Sequence, residues 1–251
     1  MLSNNKIKYI QSLKTKKLRQ KYNNFIIEGD KMAREVLESE ELEIESVFAL
    51  PNWIETNRKL VNVHFKKTLS INERELKKIS SLKTPNQVLV IAKQASFKAN
   101  FTDLKASLSL YLDGIQDPGN MGTILRIADW FGIDWVICSP TCVEIYNSKV
   151  VQASMGAFLR VKTLILPFET LHEQVKGIPV YGTVLDGQNM YNMDLESNGV
   201  IVIGSEGKGI SKEVMERLDH RISIPAHQSG GAESLNAAIA TGIVCALFRK
   251  G

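Results

Sequence analysis

Cysteine is scarce. The 251 residues hold three, Cys138, Cys142 and Cys245. They form neither an even set nor a metal-ligand spacing, which argues against a disulfide scaffold and a zinc module and points to a reduced, cytoplasmic setting. Long apolar runs are missing as well. Stretches such as residues 200–203 are far too short to cross a bilayer. No apolar stretch follows the polar, lysine-rich N-terminus, so no secretory signal is expected. There is no internal repeat and no low-complexity segment. Acidic residues are absent from positions 1–27, which carry Lys6, Lys8, Lys14, Lys16, Lys17, Arg19 and Lys21, and they begin only at Glu28. The formal net charge is a modest +4, so the asymmetry is the signal. A basic block of this kind suggests an anionic polymer as partner, the alternative being a solvated helix face.

A hydrophobic content of 44% and a charged content of 23% are those of a globular protein with room for one large domain or two ordinary ones. Ile7, Ile10 and Leu13 recur at helical spacing, as do Leu18, Tyr22 and Phe25. On the other side Lys14, Lys17 and Lys21 would share a helical face, a cationic stripe for phosphates. Residues 30–37 read as helix, 46–50 and 63–65 as strands, and 73–79 as a helix with Asn72 as its N-cap. A turn at Thr84-Pro85-Asn86 precedes a strand at 87–91. The polar stretch 96–106 reads as a linker between a domain at 1–95 and another at 107–251. In the second, apolar strands at 108–112, 135–137, 163–166, 180–184, 200–203 and 221–224 alternate with helices at 121–131, 148–155, 170–175, 212–218 and 235–248. That is the pattern of an α/β fold with a mostly parallel sheet covered on both faces.

Three segments stand out at the ends of those strands. In the first, Leu112-Asp113-Gly114-Ile115-Gln116-Asp117-Pro118-Gly119-Asn120 turns into an apolar helix carrying Arg126. A buried arginine there is costly unless an anion needs it, and its planar fork suits a phosphate or carboxylate. The second, Gly204-Ser205-Glu206-Gly207-Lys208-Gly209, fails the P-loop test because Ile210 follows the last glycine. It fails the dinucleotide test because its glycines fall as G-x-x-G-x-G. Glu206 would repel phosphates and suits a cation, a hydroxyl or an arginine instead. The third sets Ser234 and Asn236 at the start of a small-residue helix, which Ser234 could cap.

These three segments, in this order, resemble the signature motifs of the SpoU (TrmH) family of RNA ribose 2′-O-methyltransferases over residues 107–251. Residues 14–21, Phe25-Ile26-Ile27-Glu28-Gly29 and Ser81-Leu82-Lys83-Thr84-Pro85 resemble the L30e-like RNA-binding domain that often precedes that fold. The resemblance implies a parallel-sheet SPOUT domain with a C-terminal trefoil knot, a homodimer, S-adenosylmethionine as cofactor and no metal. It implies cofactor contacts at Thr183, Gly204, Ile224 and Leu235. Arg126, Asn120, Glu206, Ser234 and Asn236 are implied as the catalytic set. The implied substrate is structured RNA, ribosomal before transfer RNA, gripped through Lys14, Lys17 and Lys21. Three features depart from the family pattern. The span from Ile224 to Leu235 is about two residues longer, with His227, Gln228 and Ser229 in the extra length; Ala226 stands where methionine is common; and Gln152 stands where arginine is common. The alternative reading is a catalytically inactive RNA-binding module of the same fold. A Rossmann dehydrogenase is disfavoured by the missing glycine fingerprint.

Overall fold

The helical spacing of the N-terminal segment breaks where hydroxyls compete for its backbone. In the computed structural model, which describes residues 1–98 and 101–249, α1 (Asn4–Ser12) ends as Ser12 Oγ donates to Tyr9 O at 2.6 Å. Thr15 Oγ1 then donates to Ser12 O at 2.7 Å before α2 (Lys16–Tyr22) begins. The expected single stripe is thereby corrected. Lys17 and Lys21 lie on α2, whereas Lys14 sits in the break and its Nζ donates to Ser80 O at 3.0 Å. Asn23, left-handed at φ 53°, ends α2. Phe25 consequently falls in β1 (Asn24–Glu28), not on the helix its spacing suggested.

The chain continues through α3 (Asp30–Glu38), β2 (Ile44–Ala49), α4 (Pro51–Thr56), α5 (Arg58–Val63), β3 (Thr68–Ser70), α6 (Glu73–Ile79) and β4 (Val88–Lys93). Its four strands form a sheet of order β1-β4-β2-β3, with β4 antiparallel to both neighbours and β3 parallel to β2. Ile10, Leu13, Phe48, Ile79, Leu89 and Ile91 are buried together in its core. The strand expected at 63–65 is absent. Val63 ends α5, Phe65–Lys67 forms one 3-10 turn, and pairing starts only at Thr68. Hydrogen bonds from His64 Nε2 to Leu37 O (3.0 Å) and from Thr68 Oγ1 to His64 O (3.0 Å) hold that turn out of the sheet.

The remaining elements are α7 (Phe101–Ala106), β5 (Leu108–Asp113), α8 (Pro118–Trp130), β6 (Trp135–Cys138), α9 (Ser148–Ser154), β7 (Lys162–Ile165), α10 (Phe168–Gln174), β8 (Val180–Asn189), β9 (Gly199–Gly204), α11 (Lys212–Met215), β10 (His220–Ser223) and α12 (Ala237–Phe248). Every strand expected between 108 and 224 is present. Together they form a six-stranded sheet of order β10-β8-β9-β5-β6-β7 in which all neighbours run parallel. The chain steps outward from β5 through β6 to β7, then returns to fill the other side of β5. The direction of winding therefore reverses between β5 and β9, and ligands of open parallel sheets collect outside the carboxyl ends of strands at such a point.

By internal packing the chain divides into Met1–Ala95 with Tyr146–Leu159, and Ser96–Ile145 with Arg160–Gly251. The segment carrying α9 and Gln152 thus groups with the first unit, where the Tyr146 and Phe158 rings lie 4.4 and 5.8 Å from Phe25. The stretch read as a linker contains α7, whose Leu104 is wholly buried, with Phe97 and Phe101 packed on the same core as Tyr111 and Val202. Residues 99 and 100 of that stretch lie outside the described residues. No helix among the described residues is long and apolar enough to cross a membrane.

Asn72 caps α6 as expected, with a reciprocal capping box. Its side chain accepts from Glu75 N at 3.0 Å, and Glu75 Oε2 accepts from Asn72 N at 3.1 Å. Glu75 Oε1 also accepts from Leu2 N at 2.6 Å, and these backbone donors, Leu2 first, hold the carboxyl below its usual range. A depressed carboxyl pKa contributes stability above the unfolded value and loses it as pH falls through the folded value. Asn72→Ala should cost about 1 kcal/mol in urea unfolding at neutral pH. The destabilisation caused by Glu75→Gln should shrink as the pH is lowered into the acid range, because the wild-type chain loses the same contribution there.

Candidate active site

Asp113 and Gly204 are register partners at the ends of β5 and β9, so the loops that follow them leave the sheet side by side. Asp113 Oδ2 accepts from Ser211 N at 2.7 Å, fastening the end of β5 to the exit of the second loop. In the first loop Asp117 caps α8, accepting from Asn120 N at 2.8 Å. Pro118 takes the first helical position, where a missing N–H costs nothing. The Pro-Gly-Asn sequence is therefore the first turn of the helix and not a loop before it.

The second loop folds back on itself. Ser205 N donates to Gly209 O at 3.1 Å and Gly209 N to Ser205 O at 2.8 Å. The approach is so close that a Cβ on Gly204 would lie 2.3 Å from the carbonyl carbon of Gly209. A similar crossing occurs where β10 passes β8: Ser223 Oγ donates to Gly187 O at 2.8 Å, and a Cβ on Gly187 would meet the Ile222 carbonyl carbon at 2.6 Å.

In the third segment the cap of α12 is Asn236, not Ser234. Asn236 Oδ1 accepts from Ala238 N at 3.0 Å and Ile239 N at 3.3 Å. An amide oxygen at that position reaches two of the free N–H groups of the first turn, which leaves the Ser234 hydroxyl outside the cap. The other end of the Asn236 amide donates to Asn120 Oδ1 at 2.9 Å, and Asn120 Nδ2 donates in turn to Glu206 Oε1. A carboxylate only accepts, so Glu206 fixes which end of the Asn120 amide faces it.

A cavity of about 500 Å³ opens among the second unit's loops. Thr183, Gly204, Ile224 and Leu235, the four positions expected around a cofactor, all line it, together with Glu206 and Ser234. Its apolar wall comes from Ile203, Ile222, Met190, Met215 and Val244, and its charged groups are Asp186, Glu206, Lys208 and Glu233. The Thr183 hydroxyl donates to Val202 O at 3.0 Å, so its side chain is already engaged in holding β8 to β9.

Arg126 departs from expectation. It is exposed, does not line the cavity, and its side chain has no hydrogen bond or ion pair among the described residues. Six residues along α8 from Asn120 amount to about 9 Å of rise and a third of a turn off a whole number of turns, which carries it off the face that meets Glu206. No burial cost therefore has to be offset, and the guanidinium is free to meet an external anion.

Reading the sequence for metal-ligand spacing passed over the setting of Cys142. The Cys142 Sγ donates to Leu112 O at 3.2 Å and lies 3.5 Å from Ser139 Oγ, beneath the first loop. A hydrogen bond from Cys138 draws the Cys142 thiol down against the opposing effect of burial, and the same bond raises Cys138. The one sequence signal was the placement of Cys138 at the end of an apolar strand with Cys142 four residues beyond it.

A parallel sheet that reverses its winding beside a loop-walled cavity, with backbone in place of a glycine phosphate fingerprint, defines an α/β enzyme with its ligand at the carboxyl edge. The SpoU rRNA methylase family model matches residues 107–246, and that of the MRM3-like substrate-binding domain matches residues 4–90. The chain belongs to the SpoU rRNA methylase family. It is 28% identical, over 96% of its length and 94% of the relative's, to the 23S rRNA (guanosine(2553)-2′-O)-methyltransferase RlmP of Bacillus subtilis. A solved structure from Porphyromonas gingivalis, assigned to the TrmH family of RNA methyltransferases, superposes with a TM-score of 0.89 at 38% identity, covering 100% of this chain and 99% of that one. The AdoMet-bound rRNA methyltransferase of Sinorhizobium meliloti superposes with a TM-score of 0.85 at 26% identity, covering 100% and 96%.

Gly204→Ala tests the folded-back loop. The added methyl collides with backbone, which cannot swing aside as a side chain can, so the loop must open. Cofactor affinity measured by calorimetry should fall at least tenfold, about 1.4 kcal/mol, while the circular dichroism spectrum keeps its native form.

Proposed function

We propose that this chain transfers a methyl group from S-adenosylmethionine to a ribose 2′-hydroxyl of RNA, and that ribosomal RNA is its substrate. The observation that carries the reading is the meeting of the second and third segments on one cavity, with the first tied to both by Asn120, which joins Glu206 to Asn236. The relative and the solved structure named for rRNA methylation support the ribosomal target.

The lining suits the cofactor's chemistry. Ile203, Ile222 and Ile224 offer an apolar wall for a flat base, while Asp186, Glu206 and Glu233 offset positive charge and Lys208 a carboxylate. When bound, the sulfonium supplies an activated methyl group, so no metal is needed for the transfer. Around it, Gly204 and Leu235 provide backbone groups, Thr183 holds β8 in place, and Ile224 closes the apolar side. Glu206 and Ser234 face the cavity, and Asn120 and Asn236 keep the carboxylate of Glu206 in position for a near-attack geometry.

Arg126 acts on the RNA. A guanidinium stays protonated in proteins, so it does not serve as general base. It orients the ribose and its phosphate through its planar fork and stabilises charge on the hydroxyl oxygen. Its position on α8 gives a reason for the homodimer. Trp130 follows Arg126 by one helical turn and is 84% exposed, and Ile239 on α12 is 57% exposed. A second copy covering this apolar strip, with knotted C-terminal segments next to it, would bring Arg126 towards a complete site. The first unit is read as the L30e-like substrate-binding domain, with Lys17 and Lys21 among its phosphate contacts, and the protein as cytoplasmic.

Arg126→Ala should abolish methylation of RNA by tritiated cofactor while leaving cofactor affinity unchanged, and Arg126→Lys should restore little, since it keeps charge and loses the fork. Retention of more than about a tenth of the rate, roughly 1.4 kcal/mol of barrier, would remove Arg126 from the reaction. Sedimentation at micromolar concentration should give a particle of twice the 28.0 kDa chain mass, and Trp130→Glu should shift it towards the monomer.

A further inference from the structure

The first unit carries a second cationic stretch, apart from the N-terminal lysines. Residues 56–72 contain no aspartate or glutamate but hold Arg58, Lys59, Lys66 and Lys67. Arg58 is paired with Glu55 at 2.9 Å, and Lys67 helps, less than Lys93, to hold the Glu43 carboxyl below its usual range. Lys59 and Lys66 have no ion pair among the described residues. In their midst Phe65 is 72% exposed, Val63 77% and Leu69 41%. Single exposed apolar residues need no explanation, but an aromatic ring set among unbalanced lysines is a different feature.

The backbone that carries the ring is held in place. His64, the residue before it, is anchored through its Nε2 to Leu37 O on α3, and its carbonyl accepts from Lys67 N at 2.9 Å and from Thr68 Oγ1 at 3.0 Å. A 3-10 turn has three residues per turn, so Phe65, Lys66 and Lys67 fan out about 120° apart. The turn thus displays one ring with a cation on either side, pre-organised by bonds that none of the three side chains supplies.

We infer that Phe65 is a base-stacking platform for single-stranded RNA, flanked by Lys66 and Lys67 as phosphate contacts. Exposed ring faces accept any base, and neighbouring cations follow the backbone, which is how single strands are gripped without sequence preference. A protein partner fits less well, since lysine is depleted at protein interfaces. The inference rests on the reading of the chain as an RNA methyltransferase and adds where an unpaired stretch of that RNA is held.

The test uses the full chain and fluorescence anisotropy with labelled oligouridylate, and a self-complementary duplex RNA as control. Phe65→Ala should weaken oligouridylate binding roughly 5- to 150-fold, the range of a single base–aromatic stack, with the duplex much less affected. Phe65→Tyr should bind like wild type, and cofactor affinity should be unchanged in both. Replacing Lys66 and Lys67 by alanine should flatten the slope of log affinity against log salt by about 0.7 for each phosphate no longer neutralised, which keeps the test available if Phe65→Ala does not fold. Unchanged affinity in Phe65→Ala together with an unchanged salt slope in the lysine variant would overturn the inference while leaving the methyltransferase reading intact. So would a change in sedimenting mass without loss of RNA affinity, which would make the patch a protein-docking surface. A wild-type chain that neither binds nor methylates RNA would overturn both readings.

Discussion

One amide ties the three loops together. Asn120 is fixed by the cap of α8 at its own N–H, donates to Glu206 and accepts from Asn236. Each partner has its own obligation: Glu206 sits in the folded-back second loop, and Asn236 terminates α12. The three segments are far apart in sequence, yet each determines the geometry of the others. Because the carboxylate can only accept, the chain of bonds has one polarity, and an aspartate in place of Asn120 would face Glu206 with like charge. Removing Asn120 would break both links at once and leave Glu206 and Asn236 to water, so the three segments would lose their common tie.

The contrast with Arg126 is instructive. The three side chains of the Asn120 chain are bonded to one another within the protein, while the one strongly basic group of the same helix is left to solvent. A site built for a polyanion has reason to divide its labour so. The cofactor is enclosed by folded-back backbone, and the polyanionic substrate is met by groups that keep their hydration until it arrives. The folded-back loop of Gly204 and the crossing at Gly187 serve the enclosed part, since in both places two backbones approach more closely than any side chain would permit.

Much of the second unit was legible because β5, β6 and β9 are largely apolar runs, and buried parallel strands have few other sequences open to them. The motifs placed all four expected cofactor positions on one cavity. Less legible were features decided by competition between nearly equal local choices. Ser234 and Asn236 are both good capping residues, and the choice fell to the one whose second bond could reach Asn120. Lys14, Lys17 and Lys21 fit a helical face until the Ser12 and Thr15 hydroxyls interrupt it. The burial of Arg126 was inferred from the apolar helix around it, but an apolar helix with one exposed strip reads the same as one buried all round. Val63 and Phe65 favour strands, and a histidine bond to a distant carbonyl took them out of the sheet.

The segment carrying α9 lies between β6 and β7 in sequence yet groups with the first unit. The polypeptide consequently passes from one unit to the other at residues 95–96, 145–146 and 159–160. A module joined by one linker can be exchanged, lost or acquired as a cassette. Here there are three passages, and cutting out residues 107–251 would strip Phe25 of the Tyr146 and Phe158 rings that lie against it. Any exchange that kept Phe25 covered would have to carry residues 146–159 along with the first unit.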